Sequence, residues 1–74
     1  MIEPIQISLA AARVNAGLTQ AEVAEKMGVS RQTIINWELG KIASLGIPEM
    51  KMLSDIYGIP QDNIFLPVNS TKSR

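Results

Sequence analysis

Residues 19–39 hold two helix starts and two helix stops, and that crowding constrains the fold more than any other feature of the chain. Thr19 and Glu22 stand at the spacing of a capping box. The threonine hydroxyl accepts from the Glu22 amide, and the Glu22 carboxylate reaches back to the Thr19 N–H. A helix through Met27 follows, with Val23, Ala24 and Met27 on one face. Gly28 stops it, Val29 turns inward, and Ser30 is a natural N-cap for a helix over residues 31–39. Ile34 and Trp37 lie on a common face of that helix. Two helices joined so tightly must cross steeply, at about 90–120°. The crossing needs a small residue, here Ala24, a glycine at the turn, here Gly28, and apolar side chains that lock the pair onto a core. Together these predict a helix-turn-helix.

The flanking sequence reads as further short helices. Residues 7–16 are alanine-rich, with Leu9, Ala12, Val14 and Ala16 as apolar positions and Gly17 as the stop. After a loop at 41–46, Pro48 suits the first turn of a fourth helix whose stripe is Met50, Leu53, Ile56 and Tyr57, ended by Gly58. Pro60 is expected to open a last short helix, with Ile59, Ile64 and Phe65 as its apolar contacts. No stretch alternates in the manner of a strand. The expected fold is all-α, a compact five-helix domain over residues 1–66, with 67–74 as a flexible polar tail.

At 74 residues the chain has room for one small core. With no cysteine and no histidine, disulfides and the usual zinc ligands are both ruled out, so helix packing and self-association must supply stability. The same absence removes the commonest catalytic bases and nucleophiles. No phosphate-cradling glycine loop or evident carboxylate pair replaces them, so an enzyme is not expected. No cofactor, metal or small-molecule ligand is implied. Neither a signal peptide nor a membrane-spanning run is expected, whereas a cytoplasmic location is expected. Seven basic residues balance seven acidic ones. A nucleic-acid binder of this composition must draw on backbone N–H groups and neutral side chains, which predicts modest non-specific affinity and a shallow salt dependence.

The run LTQAEVAEKMGVSRQTIINWELGK, residues 18–41, closely resembles the Cro/CI-type, or xenobiotic-response-element-type, helix-turn-helix regulators of phages and bacteria. A weaker likeness extends over residues 7–66. The resemblance implies a lambda-repressor-like DNA-binding domain acting as a transcriptional regulator, most simply a repressor that occupies a double-stranded DNA operator. It implies that Gln20 contacts a phosphate and braces the recognition helix. It places Arg31 and Gln32 where the family reads base edges, and these side chains suit guanine and adenine respectively. Thr33 would meet a phosphate or a thymine methyl. Asn36, one turn beyond Gln32, is a third base-reading candidate. Lys41 and Ser44 correspond to loop positions that touch the DNA backbone, and Arg13 with Glu38 to a charge pair tying the first helix to the third.

Each of these polar residues has a plainer role open to it, as part of a solvated helix face. Trp37 is the reverse case, since its register with Ile34 assigns it to the core rather than to base stacking. Two positions depart from the family pattern. Leu39 stands where a polar residue is common, and Ile35 is apolar on a face expected to be wet. With Ile42 they make the alternative, a protein-interaction module such as an antitoxin-like or adaptor domain on the same fold. A DNA reader of this size needs a homodimer on DNA, because one recognition helix spans too few bases. The expected self-contact lies around Ile59, Ile64, Phe65 and Leu66.

Overall fold

The structure, a computed structural model, describes residues 6–65, with Phe65 described by its backbone alone. The expected tail at 67–74, Leu66 and the Phe65 side chain lie outside what is described. In chain order the elements are β1 (Ile7–Ser8), α1 (Leu9–Asn15), α2 (Gln20–Met27), α3 (Arg31–Glu38), α4 (Ile47–Tyr57), a single 3-10 turn (Gln61–Asn63) and β2 (Ile64–Phe65).

Capping sets most of these limits. Thr19 and Glu22 form both halves of the capping box at 3.1 and 2.8 Å. Ser30 caps α3 by accepting from the Thr33 amide at 3.2 Å. At the end of α2, Gly28 takes a left-handed conformation (φ 73°, ψ 31°) that an L side chain would resist. There the amide of Val29 reaches back to the Ala24 carbonyl at 3.0 Å, which turns Val29 toward the core. The α1–α2 and α4 exits work the same way, sending Leu18 and Ile59 inward. Only α3 differs: the residue after Gly40 is Lys41, and it is exposed.

The core gathers one or two residues from nearly every element. Leu9 and Ala12 come from α1, Val23 and Ala24 from α2, Ile34 and Trp37 from α3, Leu53 and Tyr57 from α4, and Ile64 from β2. Ala24 is 4% exposed, as a close helix crossing requires.

Three expectations need correction. The first helix begins at Leu9, not at Ile7, because Ser8 is its N-cap and accepts from the Ala11 amide at 3.1 Å. The fifth helix is one 3-10 turn, so the described residues hold four α-helices. Ile7 and Ser8 form a short parallel pairing with Ile64 and Phe65. That pairing closes the two ends of the domain and is supported by the Gln6 side chain, which donates to the Asp62 carbonyl at 3.3 Å. It also places Ile64 in the core at 7% exposure, with Ile59 half-buried against it, so Ile64 is spent inside the subunit rather than on a self-contact.

Candidate nucleic-acid interface

The inner face of α3 is fixed by three side chains. Ile34 and Trp37 are 1% and 2% exposed. Glu38 accepts from Arg13 through Nε at 2.7 Å and Nη2 at 3.4 Å, and from Gln20 Nε2 at 3.0 Å. Arg13 also donates from Nη1 to the Leu18 carbonyl at 3.0 Å, so one guanidinium joins α1, the turn before α2, and α3. The Glu38 hydrogen bond holds the arginine charge beyond its ordinary range, against a smaller opposing effect of burial. Tyr57 from α4 stands close enough to feel both charges. Burial pushes its phenol up to about 12, the Glu38 charge adds to the rise, and Arg13 opposes it. Side chains of α1 and α2 therefore meet on Glu38 of α3.

The outer face carries the candidate readers. Arg31 and Gln32 are exposed in the first turn of α3, and Asn36 is half-buried one turn later. Gln32 Nε2 donates to Asn36 Oδ1 at 3.0 Å, so the two amides are held together in the free protein. Gln32 keeps its carbonyl oxygen and a second N–H, the acceptor and donor that an adenine edge requires. Thr33 is half-buried, its hydroxyl 3.0 Å from that of Ser30. Lys41 is exposed beyond Gly40, with its amide on the Asn36 carbonyl at 2.8 Å. Ser44 is exposed in the following loop, where its oxygen accepts from the Trp37 indole at 2.9 Å.

Arg31, Gln32, Thr33 and Asn36 thus share one element, with Lys41 and Ser44 on the loop that leaves it. Gln20 stands on α2 and is joined to α3 through Glu38. The family resemblance places the four residues on α3, but it does not give three hydrogen bonds formed around them and in the loop that follows. The Gln32–Asn36 and Ser30–Thr33 contacts sit at ordinary helical intervals and were open to inference. The Trp37–Ser44 contact depends on the loop path. Among the apolar departures, Leu39 is 64% exposed, whereas Ile35 and Ile42 are half-buried. Among the described residues no cluster of histidine, cysteine, aspartate or glutamate could hold a metal.

The family model described as helix-turn-helix matches residues 9–61. The chain belongs to the Cro/CI-type helix-turn-helix family. At family level this makes it a DNA-binding transcription regulator, a class not typically enzymatic. No curated protein and no solved structure matches it. The matched span of this helix-turn-helix protein runs from the first residue of α1 to the 3-10 turn, so it includes every core residue except Ile64. No helix among the described residues is long and apolar enough to cross a membrane.

Proposed function

We propose that the protein is a sequence-specific operator-binding regulator with a lambda-repressor-like domain, acting most simply as a repressor by excluding polymerase. Arg31, Gln32 and Asn36 read base edges in the major groove. Gln20, Thr33, Lys41 and Ser44 hold the DNA backbone. The observation that carries this reading is the division of α3. Its inner side chains are committed to the core and to Arg13, while Arg31 is exposed and the Gln32 and Asn36 amides bond only to each other. Side chains held at one spacing by a mutual bond lose less freedom on binding than two free ones.

Two copies bind together, because α3 has only eight residues and reaches few base pairs. Half-sites would lie about one helical turn apart, roughly 34–36 Å. Arg31 and Lys41 are the cations flanking α3, so affinity should fall with salt less steeply than for strongly basic readers.

Selection of binding sites from random duplex DNA tests this directly. Enrichment of a palindrome with half-sites one turn apart is the expected result. Folded protein that enriches nothing would overturn it and favour the protein-interaction alternative, for which exposed Leu39 is the chief support.

A further inference from the structure

Trp37 is almost wholly buried, and an indole N–H can only donate. Left without an acceptor in the core it would be strongly unfavourable, and the oxygen it finds is Ser44 Oγ at 2.9 Å. Ser44 is otherwise exposed, on the loop at 41–46. A serine hydroxyl has one proton and two lone pairs. With a lone pair taken by the indole, the proton is left over, and no described residue accepts it. The same loop is fastened at its start, where the Lys41 amide donates to the Asn36 carbonyl at 2.8 Å, and is tightened by the Leu45 amide on the Ile42 carbonyl at 3.0 Å. Both attachments to α3 fall on its last turn, at Asn36 and Trp37. The loop therefore moves with the recognition helix.

We propose that Trp37 is a positioning residue for DNA-backbone binding. Its indole N–H fixes the Ser44 hydroxyl so that the free proton is presented to a phosphate oxygen. The proposal rests on α3 being a DNA-binding helix. It departs from the purely structural role that burial alone gives Trp37. The contact it assigns is independent of base sequence, and Lys41, exposed on the same loop, is a further candidate for the DNA backbone.

The test is a double-variant cycle with Ser44→Ala and Trp37→Phe, measured on the selected site and on an unrelated duplex. Each protein is assayed at a temperature where circular dichroism shows it fully folded. Ser44→Ala should weaken binding to both duplexes about tenfold, the size of one hydrogen bond to a charged group. Trp37→Phe should give the same loss, the double variant should lose no more than either, and Ser44→Thr should restore most of the affinity. The single tryptophan offers a second readout. Its indole N–H resonance in the free protein should move upfield in Ser44→Ala. Losses that multiply in the double variant would overturn the proposal, since Trp37 would then act through packing alone. So would wild-type binding that Ser44→Ala leaves unchanged. Failure of the wild type to bind any duplex would instead remove the DNA-binding reading on which the proposal stands.

Discussion

The two faces of α3 are built on opposite terms. Inward, Ile34, Trp37 and Glu38 are bound to three other helices through packing, a guanidinium and an amide. Outward, Arg31 is exposed, and the Gln32 and Asn36 side chains hydrogen-bond to one another. Removing an inner side chain leaves a cavity or a buried charge without its partner. Removing an outer one leaves water in its place. The inner face therefore holds the helix in position, and the outer face is free to be chosen for what it contacts. On the proposed reading, a single eight-residue helix separates stability from recognition by orientation alone.

That contrast can be broken from the inside first. Trp37→Ala should destabilise the domain by about 3–5 kcal/mol, the range for a buried aromatic, which for so small a protein approaches complete unfolding. Thermal melting checks it, and an unchanged melting temperature would contradict it. Arg13→Ala should cost about 3 kcal/mol, the low end for a broken buried pair because the arginine side chain keeps 15% exposure. Denaturant unfolding of Arg13→Ala, Glu38→Gln and the double variant would show the coupling.

From the outside the expectation reverses. Gln32→Ala and Asn36→Ala should each weaken binding to the selected site by about 1–3 kcal/mol. Their effects should not add, because each amide orients the other. Their stability should stay within about 0.5 kcal/mol of wild type. The last effect, absent at neutral pH, concerns Tyr57. Its phenol is raised in the fold from 10.0 to about 12, so the unfolded chain ionises first. Its contribution is complete below pH 10 and declines as pH rises from 10 to 12, by about 1.4 kcal/mol per unit. Tyr57→Phe should lose that part of the alkaline dependence, while the remainder, from other groups, persists.

The same contrast explains what could be read from the sequence. Inner features announce themselves locally: the Thr19–Glu22 box, the stop at Gly28 and the Ile34–Trp37 register all have fixed spacings, whereas the distant Arg13–Glu38 pair is given by the family resemblance alone. The pairing of Ile7 and Ser8 with Ile64 and Phe65 does not, because it joins distant segments over too few residues to alternate. Ser8 was a readable N-cap, obscured by the apolar Ile7 before it. Pro60 gave a true start signal, yet three residues cannot repay helix nucleation, and the chain turns extended at Ile64 (φ −95°, ψ 122°). On the outer face the residues were legible as exposed polar positions. The bonds among them were not, because the sequence does not say which neighbour an amide or hydroxyl will choose.

On the proposed function, the outer face of α3 reads sequence without supporting the fold. Repeating the site selection with Gln32→Ala, alongside its thermal melt, tests both halves at once. The expected result is an unaltered melting temperature and a base preference relaxed at one position of each half-site. An unchanged preference, or equal losses on selected and unrelated DNA, would show that this face does not read bases.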